Sequence, residues 1–194
     1  MAIARKLLVK QGYQRTTLQD IADVAKVTKA ALYYYFPNKE TLFERVMLDS
    51  LRSHYDEVLT AVARARTPIE RIQAFMERAA YLQDSDRDRW VAASNAFLET
   101  SRTTKHPDAV ALRDKFEGLL RQLIEEGIAT GDLRPMDPAM AGRLLLSALS
   151  QMPVWHKPGG RLTSVEAIRE FLEMLFNGMR APHQIAASER HADA

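Results

Sequence analysis

The chain has 194 residues, 46% of them hydrophobic, which suits one compact domain or a small domain joined to a larger one. It contains no cysteine, which excludes disulfide frameworks and cysteine-based metal or nucleophile sites. No apolar run reaches the roughly 18 residues of a membrane span, and Arg5, Lys6 and Lys10 interrupt the N-terminal stretch where a signal peptide would be apolar. These features predict a cytoplasmic protein with no membrane partner.

Positive charge is concentrated at the N-terminal end. The net charge of the whole chain is only +2. Residues 1 to 45 contain eight Lys/Arg and four Asp/Glu, a net charge of +4, so the remaining residues carry −2. A basic end on a nearly neutral chain is typical of a region that binds nucleic acid.

Two short helices joined by a tight turn are predicted after a first helix over residues 3–11. Thr17 and Asp20 have the spacing of a capping box, which begins one helix. The turn falls at residues 25–27, and Thr28 caps a second helix that runs from Lys29 to about Tyr35. Helix, short turn and helix is the helix-turn-helix layout, in which the second helix lies in a DNA major groove.

The second helix carries side chains suited to reading DNA. Lys29 can donate to guanine acceptors, and Tyr33 lies one helical turn later on the same face, where its ring could meet a thymine methyl group. We expect DNA contacts from Thr17, Thr28, Lys29, Ala30, Ala31, Tyr33, Tyr34 and Lys39. The alternative, that the aromatic cluster packs in a core, is expected for Leu32, Tyr35 and Phe36.

This region resembles the DNA-binding segment of TetR-family transcriptional regulators. The resemblance covers about the first quarter of the chain and rests on Gly12-Tyr13, Thr16-Thr17, Asp20-Ile21-Ala22, Val27-Thr28, Leu32-Tyr33, Tyr35-Phe36 and Asn38-Lys39-Glu40. It implies that Lys29, Ala30, Ala31 and Tyr33 read bases. It also implies that Thr17, Tyr34 and Lys39 hold the phosphate backbone.

Two features depart from the family's pattern. Lys26 stands in the turn where the family usually has glycine, which predicts a strained residue with positive φ. The family's first helix usually extends further towards the N-terminus, often with basic residues. We therefore expect either a truncated sequence or a genuinely short start, which would weaken the support of the DNA-binding unit.

The rest of the chain also shows helical periodicity and no strand pattern. The long helix from Lys39 to about Arg64 links the two parts of the protein, and further helices are predicted over 68–83, 87–101, 107–130, 138–154 and 164–179. The prediction is an all-α protein of about nine helices. Residues 1–45 form the helix-turn-helix domain, 46–181 a ligand-binding and dimerisation domain, and 182–194 a flexible tail.

The C-terminal domain is expected to form a homodimer and to bind a small molecule. Its last two helices are apolar on more than one face, and the resemblance implies that they form a four-helix bundle with their copies; the alternative is a monomeric core. The resemblance also implies a pocket, for which the candidate lining residues are Phe75, Met76, Trp90, Phe97, Phe116, Leu120, Met152 and Trp155. For each of these residues, ordinary core packing is the alternative.

Residues 153–163 are similar to a segment of TetR-family members that respond to acyl-coenzyme A esters. We therefore predict a ligand-responsive regulator, a repressor released from operator DNA by a small hydrophobic or acyl-coenzyme A ligand. The alternative is a helical adaptor that binds only protein, which would not need Lys29, Tyr33 and Lys39 on a basic face. An enzyme is not expected, because the five histidines lack metal-ligand spacing and the sequence has neither a Gly-rich phosphate loop nor a nucleophile elbow. No cofactor is expected either.

Overall fold

The protein is described by a computed structural model that covers residues 2–11, 15–85 and 107–177. The described residues form α-helices and no strand, in agreement with the predicted all-α class. The helices are α1 (Ala2–Gln11), α2 (Leu18–Ala25), α3 (Lys29–Tyr35), α4 (Lys39–Arg64), α5 (Pro68–Ser85), α6 (Pro107–Ala129), α7 (Pro138–Trp155) and α8 (Ser164–Asn177). The helix predicted at 87–101 and the tail predicted at 182–194 lie outside the described residues.

Helix starts follow the capping signals in the sequence. Thr17 and Asp20 form the predicted capping box: the Asp20 amide donates to Thr17 Oγ1 at 3.1 Å, and the Thr17 amide donates to Asp20 Oδ2 at 2.8 Å. Thr28 and Asn38 cap α3 and α4 by accepting from the backbone N–H three residues further on, at 3.1 Å and 2.8 Å. These caps fix where α2, α3 and α4 begin, and so fix the geometry of the helix-turn-helix.

The acidic partners of three capping boxes carry lowered pKa values. Hydrogen bonds from Thr17, first from its side chain and then from its backbone, lower the pKa of Asp20. The carboxyl groups of Glu70 in α5 and Glu166 in α8 accept backbone hydrogen bonds in the same way, which lowers their pKa values too. Hydrogen bonds to the charged form stabilise it, so these helix starts favour an ionised carboxylate.

The turn between α2 and α3 contains the predicted left-handed residue. Lys26 has φ 54° and ψ 39°, and it is the only residue other than glycine with positive φ in the described ranges. Its amide donates to the Asp23 carbonyl at 3.3 Å and the Val27 amide donates to the Ala22 carbonyl at 3.1 Å, which is the Schellman arrangement. The turn therefore keeps the hydrogen bonds of a glycine C-cap, while Lys26 bears the strain of a left-handed L-residue.

Two hydrophobic cores hold the helices together. The smaller core joins α1, α2 and α4 through Ala4, Leu18, Ile21, Leu42 and Val46, with Leu32 and Phe36 packed against it. The larger core is built from α4, α5, α6, α7 and α8. The helix α4 contributes to both cores, since its first half supplies residues to the small core and its second half supplies Val58 and Val62 to the large one.

The helix α5 lies at the centre of the C-terminal helices. It packs against α4, α6, α7 and α8. Salt bridges on the domain surface tie it to three of these helices and join Arg78 to Glu57, Arg71 to Glu126 and Glu77 to Arg169. Exposed pairs of this kind add little stability each, so burial of apolar surface is the main source of the domain's stability.

No helix in the described ranges is long and apolar enough to cross a membrane.

Candidate nucleic-acid interface

The helix α3 is displayed on the surface. It packs against α2, and Leu32 is the side chain of α3 that packs against the small core. All seven residues of α3 keep solvent exposure. Because Leu32 is the residue of α3 that packs against the small core, the other faces of the helix are available to a partner, as a helix that enters a DNA groove requires.

Lys29 and Tyr33 form one unit on this helix. The Lys29 Nζ atom lies 5.7 Å from the centroid of the Tyr33 ring, and the two residues are one helical turn apart. Tyr33 is 42% exposed. A cation held over an aromatic face is attracted by the ring quadrupole, which keeps the long lysine side chain aligned with the tyrosine. The pair therefore presents an ammonium donor and a phenol on one surface, the chemistry needed to contact base edges.

An aromatic pair follows on the same helix. The rings of Tyr34 and Tyr35 meet edge to face with their centroids 5.2 Å apart, and the side chains are 83% and 72% exposed. The expectation that Tyr35 packs in the core is wrong, because its side chain is exposed; Leu32 and Phe36 are the residues of this region that pack against the small core. Tyr35 lies four residues after the exposed Ala31, and this spacing is the signal that could have placed it on the surface.

The other predicted DNA contacts lie on α3 and at the starts of α2, α3 and α4. Thr17, Thr28, Ala30 and Ala31 are exposed, and Lys39 at the start of α4 is partly exposed. The starts of α2 and α4 present the positive ends of their helix dipoles, which favour phosphate oxygens. The structure thus brings the predicted contacts to α3 and the helix starts on either side of it.

The predicted effector-binding residues are placed differently. Phe75, Met76, Leu120 and Met152 are buried in the large core. Phe116 is partly buried, and its ring meets those of Tyr55 and Phe75 edge to face at 5.1 Å and 6.0 Å between centroids. Trp155 at the end of α7 is 57% exposed. Trp90 and Phe97 lie outside the described residues. The pocket therefore stays a prediction.

Comparison with known proteins identifies the family. A family model described as "Tetracyclin repressor-like, C-terminal domain" matches residues 65–179, more than half of the chain. A second model, "Bacterial regulatory proteins, tetR family", matches residues 1–46. The chain belongs to the TetR family. As a TetR-family protein it is a DNA-binding transcriptional regulator, which confirms the fold and function predicted from its N-terminal region.

Relatives of known structure or function share this architecture over nearly the whole chain. The transcriptional repressor KstR2 of Rhodococcus jostii is 28% identical over 193 residues, covering 93% of this chain and 89% of that protein. The crystal structure of a TetR/AcrR-family regulator from Thermobifida fusca is 29% identical with a TM-score of 0.75, covering 93% and 96% of the two chains. AibR, solved in complex with isovaleryl coenzyme A and operator DNA, is 28% identical with a TM-score of 0.70, covering 90% and 96%.

Proposed function

We propose that this TetR-family regulator is a homodimeric repressor that an acyl-coenzyme A ester or a similar small hydrophobic ligand releases from its operator. The observation that carries the DNA half of the proposal is the exposed surface of α3, where Lys29 and Tyr33 stand together. The relatives named KstR2 are transcriptional repressors, which favours repression over activation. Each protomer of the repressor inserts one α3 into a major groove of the operator.

Exposed apolar side chains support dimerisation through α7 and α8. Met140 and Leu144 lie one turn apart on α7, and Met174 and Leu175 lie on α8. Exposed apolar side chains are typical of a protein interface when they cluster, so we place these residues of α7 and α8 on one dimer face. A two-fold axis through this face pairs each helix with its copy and presents two α3 helices to DNA about one turn, or a simple multiple of a turn, apart.

The effector half of the proposal is supported by the sequence at residues 153–163 and by AibR, whose structure contains both isovaleryl coenzyme A and operator DNA. The proposed pocket lies among the helices of the large core, with Phe75, Met76, Phe116, Leu120 and Met152 at its wall. An acyl chain would bury its apolar surface against such side chains.

The helix α4 carries the coupling between effector and DNA. Its 26 residues span about 39 Å, and its two halves belong to the two cores. A tilt of about 5° around its C-terminal end therefore moves its N-terminal end, beside α3, by roughly 3 Å. The effector releases DNA to the extent that it binds the tilted state more tightly, and a coupling of about 1–3 kcal/mol is typical.

A gel-shift titration tests both halves of the proposal. The DNA upstream of the protein's own gene is titrated at two salt concentrations, with and without isovaleryl coenzyme A. We expect salt-dependent binding by the wild type, release by the ligand and loss of specific binding in Lys29→Ala/Tyr33→Ala. The matched control is Lys115→Ala/Tyr81→Ala, which removes the same side chains from exposed sites on α6 and α5. Specific binding by a folded Lys29→Ala/Tyr33→Ala dimer would refute the assignment of α3.

A further inference from the structure

The buried side of α5 is apolar except at one position. The residues that face the interior of the domain are Ile72, Phe75, Met76, Ala79, Ala80, Leu82 and Gln83. Gln83 is 6% exposed, as buried as its apolar neighbours. It lies seven residues after Met76 and four after Ala79, so it shares their face of the helix. This face includes the wall of the proposed effector pocket.

The side-chain carbonyl of Gln83 is an unpartnered acceptor. Its Oε1 atom is buried and accepts no hydrogen bond, and it is the one side-chain acceptor of this kind in the described part of the chain. Buried polar groups nearly always have a partner, because an unpaired acceptor loses its hydrogen bond to water and gains nothing in return. The free protein therefore carries a destabilising group that a bound donor would satisfy.

The next buried polar group at this end of the domain has its partners within the chain. His156, at the end of α7, is also 6% exposed. Its Nε2 atom lies 2.9 Å from the Leu162 carbonyl, and its Nδ1 atom lies 3.7 Å from Asp84 Oδ1. Asp84 follows Gln83 directly on α5. The imidazole of His156 thus has partners within the chain, whereas Gln83 Oε1 has no hydrogen-bond donor there and can accept from a bound molecule.

We infer that Gln83 is a specificity-determining residue of the effector site, whose Oε1 accepts a hydrogen bond from a neutral N–H or O–H group on a mainly apolar ligand. A neutral donor is favoured over an ammonium group, because moving an ion into this apolar surrounding has a much larger desolvation penalty. The alanines one turn before Gln83, Ala79 and Ala80, have the smallest side chains on the buried face and place little bulk beside the carbonyl. The inference rests on the proposed effector-binding function.

Two isomeric probes test the inference without knowledge of the effector. Hexan-1-ol and methyl pentyl ether have the same atoms, but only the alcohol can donate a hydrogen bond. We expect the wild type to bind the alcohol about 2–10-fold more tightly than the ether, as one net hydrogen bond implies. Gln83→Met should abolish this preference and raise the melting temperature of the free protein. Gln73→Met, a change at a partly exposed site on the same helix, should do neither.

Two outcomes would overturn the inference. One is equal affinity of the wild type for the two probes, and the other is a preference for the alcohol that persists in Gln83→Met. If Gln83→Met does not fold, the NMR resonance of the Gln83 side-chain amide in the wild type tests for the hydrogen bond instead. It should shift on addition of the alcohol and stay in place on addition of the ether; equal shifts with both probes would exclude the hydrogen bond.

Acyl-coenzyme A ligands then separate this inference from the proposed function. Isovaleryl coenzyme A carries neutral donors in its pantetheine amides, and 3-hydroxyisovaleryl coenzyme A adds a hydroxyl on the acyl group. If Gln83→Met weakens the binding of both ligands equally, an amide N–H is the donor to Gln83. If it weakens the binding of 3-hydroxyisovaleryl coenzyme A alone, the acyl hydroxyl is the donor. Release of DNA by both coenzyme A esters with equal potency from wild type and Gln83→Met would keep the effector class and refute the role of Gln83 in binding it. A wild type that ignores both ligands but retains the Gln83-dependent alcohol preference would instead refute the acyl-coenzyme A class.

Discussion

Replacing Gly127 with alanine tests how tightly α6 packs against the loop that follows it. A Cβ atom at Gly127 would lie 2.9 Å from Cδ1 and 3.1 Å from Cγ of Leu133, with Pro68 Cβ at 3.4 Å. The Leu133 backbone is fixed, because its amide donates to the Gly127 carbonyl at 2.9 Å. The Leu133 side chain must therefore move. Gly118, on the same helix, has no atom within 4 Å of the corresponding position among the contacts described.

The two glycines separate helix propensity from packing. Alanine stabilises a helix interior by about 1 kcal/mol relative to glycine, so Gly118→Ala should raise the free energy of unfolding by about that amount. At Gly127 the same gain is offset by an overpacking penalty of about 1–3 kcal/mol. Because the end of the Leu133 side chain can rotate, we expect the lower half of this range. The net change at Gly127 is then a loss of about 0–1 kcal/mol.

Thermal unfolding at one fixed protein concentration measures the difference, since dimerisation makes the midpoint depend on concentration. For a chain of this size, 1 kcal/mol shifts the melting temperature by about 2–4 °C. Gly118→Ala should melt about 2–4 °C above the wild type, and Gly127→Ala at or slightly below it. Equal stabilisation by both substitutions would show that the close approach of Gly127 to Leu133 has no energetic consequence, and the packing argument would fail.

Three further predictions concern the DNA-binding half and the helix starts. Lys26→Gly should stabilise the protein by about 0.5–1 kcal/mol in urea unfolding, because glycine adopts the left-handed turn without strain; a destabilised variant would contradict the strain at this turn. Lys39→Ala should weaken binding to all DNA sequences and lower the slope of log affinity against log salt by about one, whereas Lys115→Ala should leave the slope unchanged. The carboxylates of Asp20 and Glu166 have lowered pKa values in the folded state. They therefore stabilise the folded protein at pH values above their pKa values in the unfolded chain. This stabilisation is lost as the pH falls through their pKa values in the folded protein. Melting temperatures between about pH 6 and about pH 3 should fall less steeply for Glu166→Gln than for the wild type; parallel curves would exclude Glu166 from this acid sensitivity.

Local chemistry made most of the fold predictable. The capping residues Thr17, Thr28 and Asn38 signal helix starts within three residues of themselves, and the structure has α2, α3 and α4 begin directly after them. The left-handed Lys26 also follows from a short-range rule, because a tight turn after a helix needs positive φ. Such signals are readable in a sequence because both partners of each hydrogen bond lie close together in the chain.

Features that depend on contacts between residues far apart in the chain could not be predicted from the sequence. The aromatic character of Tyr35 predicts a core position, but Leu32 and Phe36 are the residues of this region that pack against the small core, and Tyr35 is exposed. The close approach of Gly127 to Leu133 and the unpartnered carbonyl of Gln83 carry no local signal either, since each depends on which helices meet. For the same reason, the apolar residues of the proposed pocket cannot be told from ordinary core residues by their spacing.

The participation of α4 in both cores limits how this protein can be recombined with others. The small core has only five buried apolar side chains, and two of them, Leu42 and Val46, come from α4. A chimera joined at the predicted boundary near residue 45 would cut α4 in its first third and separate Val46 from its core. The DNA-reading specificity should therefore transplant to another regulator only when α1 to α4 travel together, with the new junction placed after Arg64. Evolutionary exchange of effector domains in such a chain faces the same restriction.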